Sequence, residues 1–516
     1  MKHDDYLKQS GLNDIWDIIH FRLNRTPDDI IFQYAVKKEQ KSVSYRQLWS
    51  DICKLGSAFN RDLPEKGRLA VLGENSYCWI VAYLAAVLTG RTAVPLDPDL
   101  PVTELAALLR RCPADGIYCS DRYLDIAEGL QAQGIQGALF SSGRVTEILA
   151  GPETEQLKTR PDPRQVCAIL FTSGTTGEPK GVMLTHRNIA ADVLNAVRSI
   201  WLTGPVLLTL PLHHAFAFSI NVLGAILCGA PTWISGGLRA FQKELRSFAP
   251  ENLIVVPLYV ETLCKRIWSA AREQGAEQKL RRLVIWSNRL RRVGIDLRGV
   301  LFRSVREPFG GKLKTIICGG AYLDQTYIDD LESFGIRILN GYGITECAPV
   351  VSFTRIGHSR RGSVGQPLHD TQVRIVDGEI CVRGDQVMAG YYEDEAATAE
   401  ALQDGWLHTG DLGSLDGDGF LYFKGRKKNL IILSNGENVS AEELENHLIR
   451  IGNVDEVLVS EKAGKITAEL YAPDRSGVEE AIDQLNRTMP PYKRIQVVYF
   501  RDTAFEKTTT QKIKRK

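Results

Sequence analysis

Three clusters of polar residues in this chain have the types and spacing to handle a phosphorylated ligand. The first is Thr172-Ser173-Gly174-Thr175-Thr176-Gly177-Glu178-Pro179-Lys180-Gly181. Hydroxyls and closely approaching backbone N–H groups in such a loop suit a polyphosphate, and Lys180 supplies the compensating charge. It is not a Walker A sequence, because Pro179 precedes the lysine and no Lys-Ser/Thr pair opens into a helix. The second is Asn340-Gly341-Tyr342-Gly343-Ile344-Thr345-Glu346. In it Tyr342 can stack on a base, Thr345 can donate to a phosphate, and Glu346 can hold a hard divalent cation. The third is Gly405-Trp406-Leu407-His408-Thr409-Gly410-Asp411, where the Asp411 carboxylate can accept from ribose hydroxyls. Each alone is equally readable as a tight turn. The apolar runs that bracket the first loop, Val166 to Phe171 and Val182 to Leu184, favour a loop pinned between two strands.

The elements that position these clusters alternate. Strand-like Arg68 to Gly73, helix-like Ser76 to Leu88 and strand-like Thr92 to Leu96 belong to a pattern running from about residue 28 to 250. It resumes at Leu253–Val256, Leu313–Cys318 and Ile336–Leu339, which predicts parallel sheets covered by helices. After about residue 370 short β-runs and turn signals such as Asp416-Gly417-Asp418-Gly419 predict a different, barrel-like part. Beyond Lys428, a capping box from Ser440 to Glu443, a helix face of Leu444, Leu448 and Ile451, and three strand-like runs predict a small α+β domain. The fold class is therefore α/β, with a large N-terminal part and a small C-terminal one.

A chain of 516 residues with 44% hydrophobic and 24% charged residues is ordinary for a globular protein. A net charge of +1 argues against a nucleic-acid partner. Ten scattered cysteines without a Cys-x-x-Cys pair read as buried thiols in a reducing compartment. The N-terminus has no apolar signal core, and the apolar run from Trp79 to Leu88 is shorter than the roughly 20 residues that span a bilayer. These features predict a cytoplasmic enzyme. The segment Lys279 to Arg306 stands apart, with eight arginines among Leu, Val, Ile, Trp and Phe. Such a stretch can rest as a peripheral contact on an anionic membrane, although snorkelling arginines on a solvated helix are the commoner case.

Two more motifs complete the series: Gly425-Arg426-Lys427-Lys428-Asn429, and Glu506-Lys507-Thr508-Thr509-Thr510-Gln511-Lys512-Ile513-Lys514-Arg515. Five motifs in this order resemble the adenylate-forming superfamily of acyl-CoA synthetases, peptide-synthetase adenylation domains and luciferases. The Lys-Ile-Lys-Arg ending is similar to that of bacterial long-chain acyl-CoA synthetases. The resemblance implies an N-terminal AMP-binding domain over 1–427, a mobile C-terminal domain over 428–516, and a hinge at Lys428. It implies ATP, Mg²⁺ and coenzyme A as reactants. A carboxylic acid, most simply a fatty acid, would form acyl-AMP and then pass its acyl group to a thiol.

By the same resemblance, Thr172 to Lys180 would grip the β- and γ-phosphates, and Glu346 with Thr172 would position Mg²⁺. Gly319, Gly320 and Ala321 with Tyr342 would sandwich the adenine beside Asn340 and Gly341. Thr345 would touch the α-phosphate, Asp411 and Arg426 would hold the ribose, and Lys512 would bridge the attacking carboxylate and the α-phosphate. His214, in Leu210-Pro-Leu-His-His-Ala-Phe-Ala217, would lie either near the substrate carboxylate or behind the acyl pocket as a packing residue. Phe216 stands where amino-acid-activating relatives carry an Asp, so an α-amino acid substrate is not expected. The chain departs from the family at Gln511 (usually Gly), Asn429 (often Asp) and Asn435 (often Gly), which bears on the geometry of thiol transfer. Coenzyme A and a free-standing acyl carrier protein both remain open as acceptors. A catalytically silent acyl- or nucleotide-binding sensor is the third reading, and the presence of Lys180, Glu346 and Lys512 argues against it.

Overall fold

The computed structural model describes residues 11–37, 39–172, 178–433, 437–507, 513 and 515. The helix Tyr77–Leu88, with sequence YCWIVAYLAAVL, is apolar on every side, and a helix of that kind must be enclosed. It packs between the helices Tyr45–Asp62 and Ser142–Ala150, with only Cys78 partly exposed. Ser76 caps its start by accepting from the Trp79 N–H at 3.2 Å.

Two large sheets flank this interior. One runs Gly390–Tyr391, Lys180–Thr185, Val166–Thr172, Thr92–Leu96, Arg68–Leu72, Gly116–Cys119 and Ala138–Ser141. The other has six parallel strands in the order Arg337–Gly343, Thr315–Cys318, Asn252–Val255, Val206–Leu208, Thr232–Ile234 and Ile30–Val36. The expected parallel pattern holds through the sheet centres and breaks at two hairpins and at the edge strand Gly390–Tyr391, which runs antiparallel to Lys180–Thr185. Ile30–Val36 with Glu39–Ser44, and Val166–Thr172 with Lys180–Thr185, are antiparallel. Their connections are too short for a parallel crossover, which takes a dozen residues or more.

The change of texture after residue 370 corresponds to a half-barrel-like antiparallel sheet of Gln372–Val376, Glu379–Arg383, Leu402–Gln403, Trp406–Leu415 and Leu421–Arg426. Beyond it, Glu456–Lys462, Lys465–Tyr471 and Val497–Arg501 form a three-stranded sheet against the helices Ala441–Leu448 and Val478–Thr488. This unit has its own apolar core around Leu444, Leu448, Val459 and Leu470. Two local expectations need correction here. Ser440 accepts from the Glu443 N–H, but the Glu443 carboxylate takes Lys493 at 2.8 Å instead of closing the capping box. The helix also stops at Leu448, so Ile451 joins the core from the turn beyond it.

Nine of the ten cysteines are buried and all are free thiols, as their apolar contexts predicted. No described helix is long and apolar enough to cross a membrane.

Gly365 is a glycine the fold requires. Gly365 has φ +84, and a Cβ there would lie 2.0 Å from the Phe353 carbonyl carbon. Gly365→Ala should therefore destabilise the protein by about 2–4 kcal/mol. Thermal unfolding checks this, and a midpoint within a degree of the parent would contradict the packing described.

Candidate functional site

The second cluster occupies the end of the strand Arg337–Gly343, and sterics explain its glycines. A Cβ on Gly341 would strike the Phe353 ring at 2.7 Å, and one on Gly343 would strike the Pro349 carbonyl at 2.1 Å. The strand can thus turn sharply into a single 3₁₀ turn, Thr345–Cys347, that carries Glu346. That turn is anchored from behind. Asp192, wholly buried, accepts from the Val350 N–H at 2.9 Å, and Ser219 donates to the Ala348 carbonyl at 2.9 Å. Met388 N–H donates to the Glu346 carbonyl at 2.9 Å. Burial pushes the Asp192 carboxyl well above its usual range, with the Val350 bond opposing.

The strand Thr315–Cys318 runs parallel beside this one, with Cys318 opposite Asn340, and ends in the turn Gly319-Gly320-Ala321. Gly320 has φ +87, while Phe216 approaches the Cβ position of Gly319 to 3.5 Å. The Asn340–Glu346 cluster and the Gly319–Ala321 turn therefore lie at the carboxyl ends of adjacent parallel strands, where open α/β sheets bind ligands. The Asn340 Oδ1 is buried and has no hydrogen-bond partner among the described residues. An acceptor left in that state costs free energy until a donor, such as an exocyclic amine, reaches it.

Asp411 and Arg426 are cross-strand partners in the half-barrel, and their ion pair measures 3.2 Å. The Tyr342 hydroxyl donates to the other Asp411 oxygen at 2.8 Å. Asp411 is 2% exposed, and Tyr342 and Arg426 both hold its carboxylate inside the protein. Burial, followed by the Asp411 charge, raises the Tyr342 phenol well above its usual range, which keeps it a donor. The ring of Tyr342 also lies 5.8 Å from that of Phe423. Sequence reasoning gave Tyr342 only a stacking role and missed its lock on Asp411.

Of the first cluster, Ser173, Gly174, Thr175, Thr176 and Gly177 lie outside the described residues. The ends of the loop do not: Thr172 pairs with Lys180 across the hairpin. The Lys180 ammonium sits 4.9 Å from the centre of the Tyr391 ring, and the Tyr391 hydroxyl donates to Glu346 Oε1 at 3.0 Å. One tyrosine thereby connects the lysine of the first cluster to the carboxylate of the second. Nothing in the sequence singled out Tyr391, because Gly390-Tyr391-Tyr392 has no motif spacing. Its place follows from the pairing of Tyr391 with Val182.

Glu346 and Thr172 offer the hard oxygen ligands that magnesium takes, and a carboxylate bound once by Tyr391 keeps lone pairs for a cation. Among the described residues no group of three or more His, Cys, Asp and Glu stands ready to hold a metal. An ion at Glu346 would therefore complete its shell from water or phosphate, as magnesium on a nucleotide does.

The segment carrying His214 is tied down by Asn75, which donates to the Leu210 carbonyl at 2.8 Å and accepts from the Leu212 N–H at 2.9 Å. His214 is half-buried, with its ring centre 4.2 Å from that of His213. Burial lowers the His213 pKa to about 4, so that ring is neutral near pH 7.

Lys428 lies in the 3₁₀ turn Lys427–Asn429 that joins the half-barrel to the small unit. Asn429 donates to Glu442, a bond an aspartate at this position could not make. Lys512 lies outside the described residues. Its neighbours are fixed to the small unit, Lys507 by Glu456 at 2.5 Å and Arg515 by Glu445.

A family profile described as AMP-binding enzyme matches residues 20–392. Rat long-chain-fatty-acid–CoA ligase 6 is 32% identical over 452 residues, which cover 76% of this chain and 63% of that protein. The Mycobacterium bovis long-chain-fatty-acid–CoA ligase FadD15 is 28% identical over 462 residues, covering 82% of this chain and 76% of that one. Among solved structures, ATP-bound MatB from Rhodopseudomonas palustris superposes with a TM-score of 0.80 at 22% identity, covering 96% of each chain. The Bacillus subtilis O-succinylbenzoate coenzyme A synthetase bound to ATP and magnesium gives 0.77 at 21% identity, over 96% of this chain and 98% of that one. These two likenesses establish the fold.

Proposed function

Because this chain belongs to the AMP-binding enzyme family, we propose that it activates a fatty acid with ATP and transfers the acyl group to coenzyme A. The observation that carries the reading is the convergence of Asn340, Tyr342, Glu346 and Asp411 with Lys180, linked through Tyr391.

In the first half-reaction an oxygen of the acid attacks the α-phosphorus, the bond to the β-phosphate oxygen breaks, and pyrophosphate leaves with that electron pair. Asp411 and Arg426 hold the ribose, and Asn340 with the Gly320–Ala321 turn receives the adenine. Thr345 contacts the α-phosphate, while Thr172 to Lys180 retains the leaving pyrophosphate. When bound, magnesium at Glu346 and Thr172 neutralises phosphate charge. Lys512 is the cation between two anionic reactants, worth most as charge builds on the pentavalent phosphorus.

In the second half-reaction the sulfur attacks the acyl carbonyl and AMP departs. The small unit over 428–516, rotating about Lys428, carries Lys512 away and admits the thiol. Its separate apolar core supports this division.

The fatty acid class draws on the names of the relatives, of which the chain spans about two thirds or less in several cases. Two features of this chain support it. Phe216 offers no carboxylate for a substrate amine. The wall beside the His214 segment is apolar, with Tyr83, Leu184, Ile189, Leu212 and Phe218 around one small cavity. Coenzyme A is the acceptor in this reading, and a free-standing acyl carrier protein is the rival. Thioester formation across a panel of fatty and aromatic acids, with each acceptor supplied separately, decides between them. Turnover with the carrier protein alone would overturn the choice of coenzyme A.

Asp411→Asn removes the charge that meets Arg426 while keeping the shape. Hydrogen bonds to charged groups contribute enough that KM for ATP should rise roughly 10–100-fold. Tyr342→Phe should give a smaller rise in the same constant. An unchanged KM in the Asp411 variant would contradict the ribose assignment.

A further inference from the structure

The helix Glu277–Arg292 has one face accounted for and one that is not. Leu280, Leu283, Val284 and Ser287, at helical spacing, turn inward against the core around Phe302 and Phe334. The opposite face should then be polar. Instead it carries Ile285 and Trp286 among Arg281, Arg282, Arg289 and Arg292, with Val293 just past its end, all exposed. The chain beyond continues the pattern with Ile295, Leu297 and Val300. These six side chains are 37% to 80% exposed, and they are six of the fourteen exposed large apolar residues described in the whole chain.

The charge is as concentrated as the apolar surface. Between Lys279 and Arg306 lie nine basic residues and one acidic residue, in a chain whose net charge is only +1. That acid, Asp296, is bound by Arg298, and Glu277 just before it is bound by Arg272 and Arg281. Among the described residues no salt bridge engages Arg282, Arg289 or Arg292.

We propose that this face docks on an anionic lipid surface, with Trp286 and its apolar neighbours entering the headgroup layer and the arginines meeting lipid phosphates. A helix lying flat with tryptophan and branched apolar residues between basic ones is what such an interface selects. Its 16 residues give about 24 Å of contact along the surface. The exposed apolar side chains are interleaved with arginines along the helix, an arrangement that suits anionic headgroups above apolar lipid tails. The inference rests on the proposed fatty acid substrate only for its purpose, since such acids partition into membranes.

Co-sedimentation of the full chain with phosphatidylglycerol-rich vesicles, and with pure phosphatidylcholine vesicles, tests it. The protein should bind the former at low salt, release at high salt, and ignore the latter. Each basic residue near an anionic surface is worth roughly fivefold in partitioning, so Arg282→Glu with Arg289→Glu should weaken binding by at least ~20-fold. Trp286→Ser with Val293→Ser should weaken it on the same vesicles without removing the salt dependence. Both variants should keep thioester formation from a soluble acid in the absence of vesicles. No binding by the parent protein, or equal binding by the variants, would overturn the proposal. So would indifference to vesicles with binding of purified holo acyl carrier protein through these arginines. Vesicle binding by a protein that activates no acid would instead fault the proposed reaction and leave the docking surface standing.

Discussion

Lys512→Ala should lower acyl-AMP formation by roughly 10²–10³-fold, the usual cost of removing one preorganised charge from a developing anionic centre. Conversion of supplied acyl-AMP to the thioester should stay close to that of the parent. The split follows from the role proposed for Lys512. The described residues on either side of it, Lys507 and Arg515, are tied to Glu456 and Glu445 of the small C-terminal unit. A rotation about Lys428 that brings in the thiol would take Lys512 out of the site. Following each half-reaction separately, as pyrophosphate release and as AMP release from acyl-AMP, measures both numbers in one preparation. An equal fall in the two would refute the alternation of domains, whatever happened to overall turnover.

The second large effect is expected at Glu346. Glu346→Gln keeps the shape, the acceptor for Tyr391 and the backbone bond to Met388, and removes only the charge. Turnover at saturating ATP should fall about 10²-fold, with a rise in the magnesium concentration needed for half-maximal rate. Tyr391→Phe leaves the charge but frees the carboxylate to rotate, and should cost only a few-fold. A magnesium titration of pyrophosphate release for the three proteins distinguishes them. An unchanged half-saturating magnesium concentration in the glutamine variant would remove Glu346 from its assigned role.

Much of this site was legible in the sequence because its parts are local. Gly341 and Gly343 flag themselves by spacing, and the structure shows the side chain and carbonyl that exclude a Cβ at each. The alternation of strand and helix runs put Asn340 and Gly320 just after strands, which the structure shows to be neighbours, and the texture change after residue 370 marked the half-barrel. What was not legible depends on residues far apart in the chain. Tyr391 meets Glu346 across 45 positions, and Asp192 reaches Val350 across 158. No periodicity encodes such pairs; they exist only once the sheets have assembled. The capping box at Ser440 failed for a similar reason. Lys493, 50 positions away, offers Glu443 a full charge where the Ser440 N–H offers a dipole. The basic run from Lys279 was visible as a composition, but which of its apolar residues face outward could be read only after the inner face was known.

The central claim is that the acid is joined to AMP in a discrete step on this chain. Its most direct test is incorporation of labelled pyrophosphate into ATP, measured with fatty acid and magnesium present and no thiol of any kind. Reversible formation of acyl-AMP predicts exchange that depends strictly on the acid and disappears in Lys512→Ala. Protein that is folded and binds ATP, yet exchanges no label with any acid supplied, would contradict the account.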